Sequence, residues 1–86
     1  MKWDLIGFIE ASKYRKKIVL SLEKGNKTPK ELRDELGFYI THISSTLKEL
    51  IEKNIVVCLT PELRKGRIFA LTDEGKKIGL YFLSKN

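Results

Sequence analysis

The tetrad Thr28-Pro29-Lys30-Glu31 constrains this chain more than any other feature, because it fixes the start of a helix. The Thr28 hydroxyl can accept a hydrogen bond from the Glu31 N–H, and the Glu31 carboxylate can reach back to the Thr28 N–H. Pro29 falls at the first helical position, where a missing N–H costs nothing. Leu32 and Leu36, four residues apart, give this helix one apolar face. Gly37 ends it, since glycine enters the left-handed region without a steric penalty. A second helix is expected over 39–53, with Ile43, Leu47, Leu50 and Ile51 as its buried stripe and Asn54 as its C-terminal cap. Only Gly37-Phe38 separates the two, which is the spacing of a helix-turn-helix.

The flanking segments complete the element order. Trp3 to Ala11 carries Trp3, Leu5, Ile6, Phe8 and Ile9 and reads as a short apolar helix over 1–11. Ser12 can cap a second helix to about Lys24, in which Tyr14, Ile18, Val19 and Leu22 follow helical spacing. After Asn54 the residues become β-branched: Ile55-Val56-Val57-Cys58-Leu59 predicts a strand, and Arg67-Ile68-Phe69-Ala70-Leu71 its antiparallel partner. The polar stretch between them, Thr60 to Gly66, forms a turn with a basic tip. Thr72 then caps a last helix within 73–86, with Asp73 and Glu74 at its positive end. The expected fold is mainly α with a small β-hairpin, an α+β arrangement of helix, helix, helix, hairpin, helix. Its 86 residues amount to one domain, 1–86.

Composition narrows the function. Seventeen Lys and Arg against eleven Asp and Glu leave a net charge of +6. A basic domain of this kind meets polyanions such as nucleic acid or anionic lipid. The surplus is shared evenly on either side of Ile43, so there is no detachable basic tail. One cysteine, Cys58, excludes a disulfide within the chain and fits a reducing compartment. No apolar run approaches the ~20 residues of a membrane-spanning helix. The N-terminus lacks the shape of a signal peptide. A cytoplasmic protein is expected. One His and one Cys cannot build a thiolate or histidine metal cluster, so neither metal nor cofactor is expected. No nucleophile–base pair or phosphate-cradling loop is recognisable, and the chain does not read as an enzyme.

The element order resembles the winged helix-turn-helix transcription regulators, especially compact prokaryotic and archaeal members of the ArsR and MarR type. Two segments carry most of the resemblance: Ser44-Ser45-Thr46-Leu47-Lys48-Glu49-Leu50 followed by Ile55-Val56, and Phe69-Ala70-Leu71-Thr72-Asp73-Glu74-Gly75. It implies a DNA-binding regulator, a repressor or autoregulator, with double-stranded DNA as partner. The reading helix would present Tyr39, Thr41, His42, Ser44, Ser45 and Lys48 to base edges. The wing would bring Arg64, Lys65 and Arg67 to the backbone or the minor groove, and Lys13, Lys16, Lys27 and Lys30 are further phosphate candidates. The reading helix lacks the arginine that many members of this class carry. Lys48 is the only cation on its exposed face, and Ile40 either meets a thymine methyl or packs on the protein.

Other readings stand beside these. His42 is a DNA contact or an ordinary exposed residue, and the run from Lys13 to Lys17 contacts phosphates or merely solvates its face. Cys58 faces its neighbours in a strand or senses redox. The apolar ends close one core or form a homodimer interface from Trp3, Leu5, Ile6, Phe8, Ile9, Leu80, Tyr81 and Leu83; a helix lying on a membrane surface is a third reading. The dimer is the expectation, with no membrane partner. The alternatives to a sequence-reading regulator are a winged-helix module that binds protein and a non-specific architectural DNA-binding protein.

Overall fold

Five helices and a two-stranded hairpin follow one another in the order α1 (Trp3–Glu10), α2 (Lys13–Glu23), α3 (Pro29–Leu36), α4 (Ile40–Glu52), β1 (Val56–Cys58), β2 (Phe69–Leu71), α5 (Asp73–Lys85). This computed structural model describes residues 2–85; Met1 and Asn86, the outermost residues of the expected terminal helices, lie outside them. The α+β class and the element order are those the sequence leads one to expect.

Local chemistry accounts for the helix ends. Ser12 accepts from the Arg15 N–H and starts α2. Both halves of the capping box are made at α3: Thr28 Oγ1 accepts from Glu31 N at 3.2 Å, and Glu31 Oε1 accepts from Thr28 N at 2.9 Å. Gly37 closes α3 at φ 74°. Asn54 takes φ 59° after α4, and its N–H donates to Ile51 O while that of Ile55 donates to Leu50 O, both at 2.9 Å. That double closure is a Schellman motif.

The hairpin pairs Val56 with Leu71, Val57 with Ala70 and Cys58 with Phe69. Lys27 adds an isolated bridge on the far side of β2, where it exchanges two backbone hydrogen bonds with Phe69 at 2.8 and 3.1 Å. The sheet thus ties the entry to α3 to the hairpin.

One core joins all of these elements. Ile6 and Ile9 of α1, Ile18, Val19 and Leu22 of α2, Leu32 of α3 and Ile43, Leu47 and Leu50 of α4 meet Ile55, Val56, Phe69, Leu71, Ile78 and Phe82. Two expectations are corrected here. Ile51 is not in the buried stripe of α4 but 40% exposed; Thr46 is buried instead, because α4 turns that flank inward and faces Ile51 toward the hairpin loop. Ile6 and Ile9, expected at a dimer interface, are 4% and 0% exposed and close the chain's own core.

Two glycines of α5 leave no room for a side chain. A Cβ on Gly75 would collide with the backbone carbonyl of Ile55, and one on Gly79 with the tip of the Glu23 side chain. No described helix is long and apolar enough to cross a membrane.

Candidate nucleic-acid interface

An open groove runs between α4 and the loop 60–68 that joins the two strands. Ile40, Ser44, Lys48, Ile51 and Glu52 of α4 form one wall, and Pro61, Arg64, Lys65, Gly66 and Arg67 of the loop the other. Thr28, Pro29 and Lys30 join the rim from the start of α3, and Leu47, Cys58 and Phe69 supply the floor. Five cations (Lys30, Lys48, Arg64, Lys65 and Arg67) therefore share the groove with a single acid, Glu52. Among the described residues no carboxylate pairs with any of the five. Uncompensated charge of one sign along a cleft raises the local concentration of anions.

The loop is braced from within. Thr60 Oγ1 accepts from the Ile68 N–H at 2.9 Å, and Gly66 turns the tip at φ 68°. Arg67 Nε donates to the carbonyl of Leu63. That bond uses one of the five guanidinium donors, so Arg67 both stiffens the loop and keeps charge for a ligand.

The first half of α4 carries the other expected residues. Tyr39 is the N-cap of α4 and is 81% exposed. Thr41, His42, Ser44, Ser45 and Lys48 are all exposed. His42 lies between two tyrosines, its ring 4.7 Å from that of Tyr14 and 6.2 Å from that of Tyr39. Ser45 Oγ donates back to His42 O at 3.3 Å, leaving its lone pairs free to accept. The structure thus brings Lys30, Ser44, Lys48 and the loop cations together in the groove, while Tyr39, Thr41, His42 and Ser45 occupy the adjoining face. Lys13 stands near this face, its ammonium 5.6 Å from the Tyr14 ring.

Two phosphate candidates fall outside that arrangement. The Lys27 ammonium donates to Ser21 O at 2.7 Å, Ser21 Oγ at 2.8 Å and Glu35 Oε1 at 2.8 Å. A lysine has three N–H donors, and all three are taken inside the fold, so Lys27 is a strut between α2 and α3. Lys16 lies over the Phe82 ring at 5.3 Å, on the side of α2 that meets α5.

Arg15 was invisible as a structural residue in the sequence, where it sits in a run of lysines. It joins three helices: Nη1 donates to Phe8 O at 2.8 Å, the guanidinium stacks 3.9 Å from the Phe8 ring centre, and Nε and Nη2 reach the two Glu49 oxygens at 3.4 and 3.2 Å. The only signal in the sequence was the choice of arginine among lysines.

A second exposed surface lies at the chain ends. Trp3, Leu80 and Leu83 are 64%, 57% and 49% exposed. Trp3 meets Tyr81 edge-to-face at 5.6 Å. Leu5, Phe8 and Tyr81 are half-buried against the core. Cys58 is a free thiol, half-buried at the groove floor.

No protein-family model and no curated protein matches the chain. Solved structures do. A MarR family regulator from Neisseria meningitidis superimposes with a TM-score of 0.81 at 19% identity, over 95% of this chain and 59% of the other. A double mutant of ZitR from Lactococcus lactis gives 0.77 at 14%, over 85% and 51%. The adhesin competence repressor of Streptococcus pyogenes gives 0.77 at 16%, over 86% and 56%.

The fold is a MarR-type winged helix.

In a fold of this kind α3 and α4 make the helix-turn-helix, and loop 60–68, between the two strands, stands where the wing would be. The chain spans only 51% to 59% of the length of these three structures.

Proposed function

We propose that this winged helix is a transcriptional regulator that binds duplex DNA, with α4 in the major groove and the wing against the adjoining backbone. The observation that carries the reading is the convergence of five unpaired cations on the groove beside α4, while Arg15, Lys24, Lys27 and Arg33 are tied to carboxylates elsewhere. A major groove roughly 12 Å wide admits one helix. Thr41, Ser44 and Ser45 would then face base edges with hydroxyls and Lys48 with its ammonium, and Lys30, Arg64, Lys65 and Arg67 would face phosphates. One of the structural neighbours is named a repressor, and repression or autoregulation is the mode proposed here. No catalytic role belongs to this reading.

The exposed Trp3, Leu80 and Leu83, with Tyr81 beside them, support a homodimer built from α1 and α5. Two copies of α4 would then address two half-sites about one DNA turn apart.

Titration of labelled duplex at two salt concentrations tests the reading. Arg64→Ala with Arg67→Ala is expected to weaken binding to every duplex and to reduce the slope of log affinity against log salt by about two. Unchanged affinity would remove the wing from the interface. Absence of any duplex binding at low salt would reject DNA as the partner.

A further inference from the structure

Ile40 is the first residue of α4, the helix taken to read DNA, and it is 41% exposed. The other apolar residues in the first two turns and the middle of that helix are withdrawn: Ile43 is 0% and Leu47 2% exposed. Ile40 stands one turn before Ser44 and two before Lys48, and all three line the groove wall. A residue at the N-terminal end of a reading helix is placed to meet base edges. Most of the base-edge chemistry in the major groove is polar; the exception is the methyl group on C5 of a pyrimidine.

The arginines of the chain are elsewhere. Arg15 is bound to Glu49 and to the carbonyl of Phe8, Arg33 to Asp34 on α3, and Arg64 and Arg67 stand in the wing. The two-pronged arginine contact to guanine is thus absent from α4, and discrimination there falls to short hydroxyls, to His42 and Lys48 and, at the N-terminal end of the helix, to one exposed aliphatic side chain, Ile40.

We propose that Ile40 is a specificity-determining residue that reads a pyrimidine C5-methyl group in the major groove, so that the preferred duplex carries a methylated pyrimidine, thymine or 5-methylcytosine, opposite the first turn of α4. The inference rests on the proposal that α4 reads DNA, and it adds which chemical group is read. Ile40 leaves water on docking and the methyl leaves water with it. Removing the methyl therefore weakens binding by about fourfold for each contact made. Ile40→Ala removes the side chain that senses the difference, and Ile40→Val retains part of it.

The experiment is a selection from random duplexes, run with one pool of ordinary DNA and one in which 5-methylcytosine replaces cytosine. The enriched duplex is then resynthesised with deoxyuridine for each thymine in turn, or with cytosine for each 5-methylcytosine. The expected result is a loss of about fourfold at one position per half-site for the wild-type protein, with no such loss in Ile40→Ala. The loss falls on thymine if the ordinary pool enriches that position, and on 5-methylcytosine if only the methylated pool does. Circular dichroism of the Ile40 variants shows that the fold is kept. A duplex that is enriched and bound, yet indifferent to demethylation at every position, overturns the inference and leaves DNA binding standing. A methyl effect that persists unchanged in Ile40→Ala also overturns it, by assigning the contact to another residue. Enrichment of nothing in either pool overturns it together with the DNA-reading proposal.

Discussion

Arg15 of α2 and Glu49 of α4 meet through two nitrogen–oxygen contacts of 3.2 and 3.4 Å, while the same guanidinium caps the carbonyl of Phe8 at 2.8 Å and lies on the Phe8 ring. The two partners are not equivalent. The Glu49 side chain is 46% exposed and that of Arg15 only 19%.

Truncating the two residues therefore has unequal effects. Glu49→Ala removes an ion pair screened by water and is expected to cost less than about 1 kcal/mol. Arg15→Ala also strips a donor from the end of α1 and the packing over Phe8, and is expected to cost about 1–3 kcal/mol. Arg15→Lys does not restore it, because an ammonium has no planar fork to share between the two sites. Urea unfolding of the three variants checks this; equal losses at both residues would mean that the ion pair, not the α1 contact, dominates.

Glu35 provides a pH dependence. The hydrogen bond from Lys27 and then that from Ser21 hold its carboxyl below the usual glutamate range, with the charges of Lys27 and Lys24 acting in the same sense and burial opposing. A carboxyl lowered in the folded state favours folding fully at pH values above its unfolded pKa. That contribution is lost as the pH falls through the ordinary glutamate range and on through the lowered folded value. Glu35→Gln should therefore be less stable than wild type at neutral pH, and the gap should close on acidification. A gap that stays constant down to pH 3 would contradict the assignment.

The two tight glycines of α5 should respond in opposite ways to alanine. Helix propensity favours alanine by about 1 kcal/mol at both. At Gly75 the new Cβ strikes the backbone of Ile55 and comes within 3.2 Å of Leu71 Cδ2, so a net loss of about 2 kcal/mol is expected despite the propensity. At Gly79 the obstacle is the end of the Glu23 side chain, whose Oε2 is buried without a hydrogen-bond partner. Pushing that oxygen into water relieves an unsatisfied group. Gly79→Ala is expected to be neutral or stabilising by up to about 1 kcal/mol. Thermal unfolding of the pair decides, and a loss at Gly79 matching that at Gly75 would refute the distinction.

Trp3, Leu80 and Leu83 give the dimer proposal its test. Leu80→Glu with Leu83→Glu should halve the mass seen by sedimentation equilibrium while leaving the far-ultraviolet spectrum intact, since both side chains are exposed in the single chain. A wild-type protein that is already monomeric at tens of micromolar would end the proposal.

The parts of the fold that rest on local chemistry were legible in the residues alone. Thr28 with Glu31, Gly37 and Asn54 act within a few positions of themselves, as does Thr72 in accepting from the Gly75 N–H at 3.0 Å, and each sits at the boundary expected of it. Residues whose partners are remote were misread or overlooked. Lys27 looks like any other surface lysine until Ser21 and Glu35 are brought around it, and Arg15 until Phe8 and Glu49 are. Ile51 fits an apolar stripe by spacing, yet the hairpin loop stands off from it and leaves it on a groove wall. That Lys30, Lys48 and the cations of loop 60–68 lie near one another follows from the element order; that they share one groove without carboxylate partners could come only from the fold.

The carbonyl of Ile55 accepts from the backbone N–H of Thr72 at 3.0 Å, and the single proton of the Thr72 hydroxyl is directed to Asn54 O at 2.7 Å with Ile55 O beside it at 3.2 Å. The last residues of the α4 turn, the root of the hairpin and the start of α5 are thus riveted at a single peptide. Tilting the loop relative to α4 would require breaking these bonds and driving Ile55 into Gly75. The groove therefore opens from a base that is set as one block, and the direction in which the hairpin leaves α4 is fixed at that peptide before its loop begins.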